Sequence, residues 1–469
     1  MPKKVTVTVR RLNAPHQKES FSKFLPLGDA LKKEVFEAVK EVFDAAGGKS
    51  LLKSSGDVYI KPNGVDAKPY GFTRAELVEA VIKYWKDAGA RTVYLFENPT
   101  QCTFARMVFE LTGYSEICRR LGAKQVFLDE EEFVTYRFEG KRPETEEEMG
   151  YRSPEFHITR FVKERLIDHG GENLYISIPK MKTHSMAGVT LGVKNQWAFV
   201  MPADRREDHN YNLPYKLSDV LSFVRPDFTL IEGIEATVYG HYPLLALADK
   251  SIQPFRVLIG SKNVVAADLV GVRLFGMELE DVPYLKMAVE RGYGDGVCGM
   301  EDIKVIGDIS DFTEKYEYKL YPQFPEDVPI IKGKERLCAE GCLDNPLTLL
   351  QALTYDYGGR GGWTMVMGKG HDKAEIDAIT GKVLIIGQCA FAELGDDLIR
   401  RLGKKNVYYS GHCNDLCATL NALCHLMGVN PSVFAHKSLV KSAQLLLQAR
   451  FHGTKAIVPH PLAKIIKVV

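Results

Sequence analysis

The feature that most constrains the fold is an apolar run that ends abruptly in a cluster of polar side chains. Residues 174–178 (Leu-Tyr-Ile-Ser-Ile) have the composition of a buried strand, and Pro179 follows them directly. Apolar residues, among them Met181 and Val189, are interleaved with the polar ones that come next, which a solvated loop does not need. Open α/β sheets keep their ligand sites at the carboxyl ends of the strands, so we predict a functional site here. Its polar residues are Lys180, Lys182, Thr183, His184, Lys194 and Asn195.

The first half of the chain repeats the order strand, helix, Gly-Ala, strand. We predict a strand over residues 57–61, a helix over 73–88, and a second strand over 92–96 after Gly89-Ala90. This order predicts a parallel sheet with right-handed crossovers. The predicted fold class is therefore α/β, with parallel or mixed sheets flanked by helices.

Three prolines separate this region from a second one in which strands and helices also alternate. Pro322, Pro325 and Pro329 mark the boundary. A chain of 469 residues is long enough for two or three domains that each bury a core. We predict two α/β domains, an N-terminal one over residues 1–320 and a C-terminal one over residues 330–469.

The overall charge is almost balanced, which bears on the class of partner. The 61 lysines and arginines against 60 aspartates and glutamates leave a net charge of +1. We therefore expect neither a nucleic acid nor a membrane as a partner, and any affinity for anions must come from local clusters. The first residues lack the apolar centre of a signal peptide, and no apolar run is long enough to span a bilayer. We expect a cytoplasmic protein.

The polar residues at the predicted strand ends suit a small anionic substrate. Lys61 and Asn63 follow the strand at 57–61 and are expected at the same sheet edge as the lysines of the central run. Lysine binds anions as a point charge, so this cluster predicts a carboxylate or a phosphate as the ligand. The residues expected to bind it are Lys61, Asn63, Lys180, Lys182, Thr183 and Asn195.

Three residues are candidates for catalysis. His184 titrates near neutral pH and could transfer protons. Lys194, if it is desolvated and crowded by other cations, could have a lowered pKa and act as a base or a nucleophile. Glu97 ends a predicted strand and offers a carboxylate. Asp268 offers another, but it opens or caps a predicted helix, where a structural role fits as well as a catalytic one.

A glycine-rich run, Gly358-Gly-Arg-Gly-Gly362, has two interpretations. Successive backbone N–H groups can hold an anion, in which case Arg360 would join the substrate-binding residues. The glycines could equally form a tight turn, since the run matches neither a Walker loop nor the dinucleotide fingerprint.

The cysteines are distributed unevenly, and six of the nine follow residue 335. Cys389 and Cys413 each follow a predicted strand and a glycine, so neighbouring parallel strands would place them side by side. Thiolates from separate loops suit a [4Fe–4S] cluster or zinc, while reduced thiols in a core are the alternative. Cys102, Cys118 and Cys298 are scattered and are interpreted as ordinary thiols, and Cys424 as part of a helix core. The predicted ligands are Cys338, Cys342, Cys389, Cys413 and Cys417.

The central run also carries a resemblance to a known family. Lys-x-Lys-Thr-His from Lys180, then small and threonine-rich residues, then Lys194-Asn195, resembles the signature of the domain of unknown function 362. Val58 to Asn63, and Leu230-Ile-Glu-Gly with the later Ala-Ala-Asp268, extend the resemblance over roughly residues 50 to 295. The family's chemistry is largely unassigned. Many members also carry a ferredoxin-like Cys-x-x-Cys-x-x-Cys segment, which this chain lacks.

A weaker similarity points to the nickel-pincer lactate racemase family. His184, Gly192 and Lys194 are similar in order and spacing to a catalytic histidine, a small-residue run and a cofactor-bearing lysine of that family. The similarity implies cofactor attachment at Lys194 and nickel ligation at His209. Two departures weaken it: Gly192 is followed by valine rather than glycine, and the loop from Glu97 to Thr100 contains no histidine.

Three functions follow from these observations. The leading one is a metal-dependent enzyme that acts on a small anionic substrate by lyase, isomerase or redox chemistry, with an iron–sulfur cluster and possible exchange with an electron-transfer partner. The second is a racemase or epimerase of the nickel-pincer type. The third is a redox or ligand sensor without enzymatic activity. The oligomeric state stays open.

Overall fold

A computed structural model gives the structure of the protein and describes residues 4–15, 20–137, 155–208, 213–317, 319–412, 415–434 and 439–458. The strands are β1 (Val5–Arg11), β2 (Asp57–Pro62), β3 (Thr92–Glu97), β4 (Lys124–Phe127), β5 (Phe133–Arg137), β6 (Glu155–Thr159), β7 (Leu174–Ile178), β8 (Lys180–His184), β9 (Gly188–Thr190), β10 (Phe228–Thr237), β11 (Ile252–Gln253), β12 (Val257–Ser261), β13 (Ile303–Ile306), β14 (Ile330–Lys332), β15 (Thr364–Met367), β16 (Val383–Ile386) and β17 (Val407–Tyr409).

The helices range from single turns to 17 residues. None of those in the described ranges combines the length and apolar character that crossing a bilayer requires. They are α1 (Asp29–Ala45), α2 (Ala75–Asp87), α3 (Ala105–Thr112), α4 (Tyr114–Leu121), α5 (Arg160–Val162, continuing as a π-helix over Lys163–Asp168), α6 (Gly192–Asn195), α7 (Pro202–Asp208), α8 (Leu213–Phe223), α9 (Ala248–Ser251), α10 (Val264–Leu274), α11 (Pro283–Glu290), α12 (Asp344–Tyr357), α13 (Lys373–Asp377), α14 (Gly387–Leu402), α15 (Leu416–Met427) and α16 (Leu439–Phe451).

One large mixed sheet organises the first two thirds of the chain. Its strands follow the order β13-β1-β12-β10-β7-β2-β3-β4, with β8, β9 and β11 attached beside this path. The five strands from β10 to β4 are parallel, whereas β12 is antiparallel to both of its neighbours. The predicted α/β class with parallel or mixed sheets is therefore confirmed.

The central strands β2, β7, β10 and β12 of the large sheet are buried on both faces, as expected for a sheet covered by helices. Along β2, Val58 and Ile60 belong to one apolar core and Tyr59 to the other, because successive side chains point to opposite faces. Helices α1, α2 and α4 cover the first face, and α8, α10 and α11 the second. The carboxyl ends of β2, β3 and β7 are thus left as the open edge on which a site can form.

The polar run after β7 is itself a strand rather than a loop. Pro179 has no N–H to donate and ends the pairing of β7 with β2. Strand β8 then pairs with β10, with Lys180 opposite Glu232, and forms an antiparallel pair with β9. All five residues of β8 are buried.

A second, smaller sheet contains four parallel strands in the order β14-β15-β16-β17. Helices α12, α14 and α15 pack around it in a separate apolar core. A buried ion pair joins the two parts of the chain: Lys68 Nζ lies 2.5 Å from Asp356 Oδ2, and both side chains are almost inaccessible to solvent.

The chain returns to the large sheet after the second one is complete. Leu445 and Ala449 of α16 pack against Phe104 at the start of α3. Beyond α16, the N–H of Lys455 donates to the Asp129 carbonyl oxygen at 2.6 Å. The predicted boundary near residues 320–330 separates the two sheets, but the segment after residue 438 packs with the first. The division into two domains stays a prediction.

Candidate functional site

A buried ion pair forms the floor of the candidate site. Lys61, at the end of β2, places its Nζ 2.9 Å from Glu97 Oε1 at the end of β3, and the two side chains are 1% and 2% exposed. Lys61 Nζ also donates to Asn195 Oδ1 at 3.1 Å. The side chains meet because β2 and β3 are parallel neighbours that end at the same edge. Burial holds the pKa of Lys61 below its usual value, and Glu97 opposes that shift.

Lys182 is held beside this pair by neutral groups. Its Nζ donates to Asn63 Oδ1 at 2.8 Å and to the Gly71 carbonyl oxygen at 2.6 Å. Burial lowers the pKa of Lys182 to about 7, and the positive charges of Lys180 and Lys61 act in the same direction, against the buried carboxyl of Asp66. The ammonium of Lys182 is therefore easily deprotonated near neutral pH.

Lys194 is the least compensated of these lysines. Within the described ranges, its Nζ has neither a hydrogen-bond acceptor nor a carboxylate partner. Burial lowers the pKa of Lys194 to about 7, and Lys182, Arg205 and Lys61 lower it further through their positive charges. The side chain is partly open to a cavity, so solvent entering that cavity opposes the shift. A substantial fraction of Lys194 is a neutral amine at physiological pH.

Asp268 places Lys194 by anchoring the short helix α6. Its carboxylate accepts from the N–H of Gly192 at 2.7 Å and from the N–H of Val193 at 2.8 Å. A Cβ at Gly192 would lie 2.7 Å from Val264 Cγ2 and 2.8 Å from Asp268 Oδ1, so only glycine allows this approach. Burial raises the pKa of Asp268 to about 7, although both N–H groups oppose the shift. Of the two roles considered for Asp268, these contacts support the structural one.

We expect Asp268→Asn to lower the free energy of unfolding by about 1–3 kcal/mol, because an amide can accept only one of the two N–H bonds and leaves the other buried donor unpaired. The substitution should also displace Lys194 and weaken anion binding. Asn263→Ala is the matched control, since Asn263 caps the amino end of α10, the helix that bears Asp268. Chemical denaturation and calorimetry measure both effects. Equal losses of anion binding in the two variants would contradict the positioning role.

These side chains line a cavity of about 60 Å³. A single water molecule needs a cavity of roughly 10–15 Å³, so this volume accommodates a small molecule of several atoms. Glu97 is the only carboxylate among the described residues that line it. The polar residues around it include Lys61, Asn63, Glu97, Gln101, Thr190, Lys194, Asn195 and Arg205.

Three buried polar atoms of this lining have no hydrogen-bond partner in the described part of the chain: Gln101 Oε1, Thr190 Oγ1 and Arg205 Nε. Buried polar groups are nearly always satisfied, so such a concentration at one cavity indicates a ligand or ordered water. The other nitrogens of Arg205 donate to Asn98 and Pro99, which fixes the guanidinium. Burial lowers the pKa of Arg205 to about 10, and it remains a cation.

Two residues of the central run belong to other contacts. Lys180 Nζ lies 2.7 Å from Glu232 Oε1 in a buried ion cluster that also contains Glu235 and Arg74. Thr183 Oγ1 accepts from the N–H of Gly240 at 2.8 Å and thereby holds the loop after β10. Neither residue lines the cavity.

His184 is not part of the cavity lining either. Its ring stacks on His241, with centroids 4.1 Å apart and an interplanar angle of 13°. His184 Nδ1 accepts from the N–H of Met186 at 3.0 Å. The pKa of His241 is held well below its usual value by burial and by the charges of Lys182 and Lys194, so this ring is neutral.

The predicted metal ligands are distributed over several places. Cys389 is exposed and lies in the first turn of α14, which begins at Gly387. Cys342 Sγ lies beside Gly387. Cys417 Sγ lies 3.1 Å from Cys102 Sγ, which the sequence interpretation had treated as an ordinary thiol. Cys413 and His209 lie outside the described residues, and Cys338 precedes a π-helix over Ala339–Leu343.

No three histidine, cysteine, aspartate or glutamate side chains in the described ranges form a group suited to a metal ion. Arg360 is exposed, and its N–H donates to the Met427 carbonyl oxygen at 3.0 Å. It does not line the cavity. The iron–sulfur cluster and the anion-binding glycine run therefore stay predictions from the sequence.

The structure thus brings Lys61, Asn63, Glu97, Lys194 and Asn195 to one cavity, with Lys182 bonded to Asn63. The sequence interpretation missed Arg205, Thr190 and Gln101. Thr190 lies inside the recognised run and could have been included, but Arg205 stands in a charged stretch that carries no signal for burial.

Comparisons with known proteins agree with the resemblance to the domain of unknown function 362. Residues 58–273 match the model of a family described as Domain of unknown function (DUF362). A thylakoid-associated protein of Synechocystis sp. is 26% identical over 257 residues, which cover 52% of this chain and 71% of that protein. A Thermotoga maritima protein of known crystal structure aligns over 86% of this chain and 83% of its own, with 10% identity and a TM-score of 0.34, too low to support an argument.

Proposed function

Residues 58–273 match the model of the DUF362 family, and from that premise we propose that the chain is an enzyme acting on a small carboxylate or phosphate bound in the cavity. One observation carries the proposal: several cationic and hydrogen-bonding groups meet in a small space, where the described residues supply a single carboxylate. That carboxylate, Glu97, is already paired with Lys61. An anionic ligand would satisfy the Thr190 hydroxyl and Arg205 Nε, which have no partner in the described residues.

Each group has a distinct role in binding. The Thr190 hydroxyl and Arg205 Nε donate to the oxygens of the anion, and the guanidinium is held in place by its bonds to the loop at Asn98 and Pro99. Lys61 is fixed by Glu97 and contributes positive potential rather than a movable donor. Charge-assisted hydrogen bonds of this kind are about twice as strong as neutral ones.

Lys194 supplies the proton chemistry. As a neutral amine, it can accept a proton from a carbon next to the bound carboxylate, which is the first step of isomerisation and elimination reactions. Binding of the anion places a negative charge beside Lys194 and raises its pKa, so the arriving substrate strengthens the base that acts on it. This supports lyase or isomerase chemistry over a purely structural role for the cavity.

The cofactors expected from the sequence stay predictions, since Cys413 and His209 lie outside the described residues. A cluster needs several converging thiolates, and in the described part of the chain no such group forms. His184 does not line the cavity, and its ring stacks on His241. Analysis of iron, acid-labile sulfide and nickel in the full chain tests both cofactors.

Calorimetry of the full chain with sulfate, as a phosphate analogue, and with malonate tests the proposal. We expect saturable binding of at least one anion, with uptake of protons from the buffer at pH 7.5 as the pKa of Lys194 rises. Thr190→Val should weaken binding about tenfold, since a hydrogen bond to a charged group contributes about 1.5–3 kcal/mol.

Thr183→Val is the control for that substitution. The Thr183 hydroxyl bonds to the backbone of the loop after β10 and not to the cavity, so its loss should lower stability without changing anion affinity. The proposal would be wrong if neither anion bound, or if the two threonine variants bound the anion equally well.

A further inference from the structure

We propose that Cys102 and Cys417 are a modification site at which a reversible disulfide joins the cavity loop, residues 98–102, to helix α15. The two Sγ atoms lie 3.1 Å apart, although the residues are separated by 315 positions in the sequence. A disulfide bond requires a separation of about 2.05 Å, so the sulfurs need to approach by only about 1 Å.

Both residues are held at this position by the same carbonyl oxygen. The N–H of Cys102 donates to the Ile457 carbonyl at 2.8 Å, and Cys417 Sγ donates to it at 3.4 Å. Cys417 lies in the first turn of α15, which Asp415 caps by accepting from the N–H of Ala418. The thiols are therefore juxtaposed by three separate segments of the chain rather than by chance contact of two mobile side chains.

The backbone of Cys102 is in an uncommon conformation. Its φ angle is 73°, in the left-handed region that non-glycine residues seldom adopt, and such residues cost about 1–3 kcal/mol unless the surroundings impose them. Here the N–H of Thr100 bonds to the Val65 carbonyl at 2.7 Å on one side and Cys102 bonds to Ile457 on the other. The conformation directs the Cys102 thiol towards Cys417.

The chemistry is thiol–disulfide exchange with a low-molecular-weight disulfide as oxidant. One thiolate of the pair attacks a sulfur of the small disulfide, and one small thiol leaves. The second protein thiolate then attacks the protein sulfur of this mixed disulfide, and the second small thiol leaves. The two protein thiols lose two electrons and two protons, and the small disulfide gains both. The hydrogen bond with Cys417, together with burial, holds the pKa of Cys102 well above its usual value, so the exchange should accelerate at alkaline pH.

The position of the pair gives the modification a consequence for the cavity. Thr100 and Gln101, the two residues before Cys102, line it. A covalent bond at Cys102 would fix this wall to α15. This inference rests on the thiol geometry and stands whether or not the cavity is catalytic.

The test uses the full chain incubated with oxidised glutathione at pH 8, followed by alkylation of free thiols and peptide mapping without reduction. We expect a peptide that links Cys102 to Cys417, loss of two alkylation sites, and reversal by dithiothreitol. Cys298→Ser, which removes an exposed thiol remote from the pair, should keep the link. Cys102→Ser should lose it and leave Cys417 as a mixed disulfide with glutathione.

Three results would overturn the inference. The first is alkylation of both Cys102 and Cys417 after Cys298 has reacted fully with glutathione. The second is a link from either residue to another cysteine instead. The third is a stoichiometric metal ion in anaerobically purified protein that both thiols retain under oxidant and that Cys102→Ser releases.

Discussion

Lys194→Met should abolish anion binding and at the same time make the protein more stable. The native fold holds Lys194 without a carboxylate partner in the described residues and beside three other cations, so at neutral pH the charge opposes folding. Removing it should raise the free energy of unfolding by roughly 2 kcal/mol, a value reduced from the full pKa shift because the side chain is partly solvated. Binding of sulfate should become undetectable by calorimetry.

The stability gain should depend on pH with a defined sign. The pKa of Lys194 is about 7 in the folded protein against 10.5 for an ordinary lysine, so between these values the unfolded chain binds a proton that the native one lacks. The free energy of unfolding of the wild type should therefore rise with pH across this window. Lys194→Met should show a smaller rise, since its own contribution is lost while those of Lys182 and Lys61 remain.

Lys180→Met provides the matched comparison. Lys180 is fully buried and lies 2.7 Å from Glu232, so its removal leaves a carboxylate without its nearest cation. This variant should lose about 3–5 kcal/mol, the usual cost of breaking a buried ion pair. Urea denaturation of the wild type, Lys194→Met and Lys180→Met measures these differences in the free energy of unfolding. If Lys194→Met is destabilised as much as Lys180→Met, the uncompensated charge at Lys194 is refuted.

Glu97→Gln should be the most damaging single change in the cavity. It removes the carboxylate that pairs with Lys61 and leaves that buried ammonium facing Arg205. We expect a loss of about 3–5 kcal/mol in the free energy of unfolding. Lys61→Met should cost less, because the Glu97 carboxylate keeps hydrogen bonds from the N–H groups of Gly64 at 2.7 Å and Asn98 at 2.8 Å.

The double variant separates the pair interaction from the rest. When Lys61 is already replaced by methionine, replacing Glu97 leaves no lysine without its carboxylate partner. The double variant should therefore lose less free energy of unfolding than the sum of the two single variants, by at least about 1 kcal/mol. Strict additivity in a urea denaturation series would show that the two side chains do not stabilise each other. If Lys61→Met lost more stability than Glu97→Gln, the N–H groups of Gly64 and Asn98 would contribute little to stabilising the Glu97 carboxylate.

The sequence was sufficient to place Lys61, Asn63, Glu97, Lys194 and Asn195 at one edge of a sheet. Parallel strands that begin in register end together, so residues just after β2, β3 and β7 must be neighbours. The family resemblance over the central run is likewise confirmed by the match to residues 58–273. Whether these side chains bind and turn over a substrate stays a prediction.

The partner that each side chain takes could not be read from the sequence. Lys180 and Lys182 are two residues apart in one strand, yet the first pairs with Glu232 and the second with the Asn63 amide and a carbonyl oxygen. Which partner each lysine takes depends on residues of β10 and of the loop after β2, and both segments lie more than 50 positions away in the sequence.

The packing of residues 439–458 against the large sheet affects the order in which the chain folds during its synthesis. Domains generally fold as they leave the ribosome, at about 5–20 residues per second, with the first-made part folding first. Here the Cys102 N–H and the Asp129 carbonyl find their partners only in Ile457 and Lys455. Strand β2 with Lys61 and helix α6 with Lys194 are synthesised early, yet the wall of their cavity stays incomplete until the ribosome has also produced the whole second sheet. A nascent chain stalled between the two sheets would therefore contain Lys194 without the finished cavity around it.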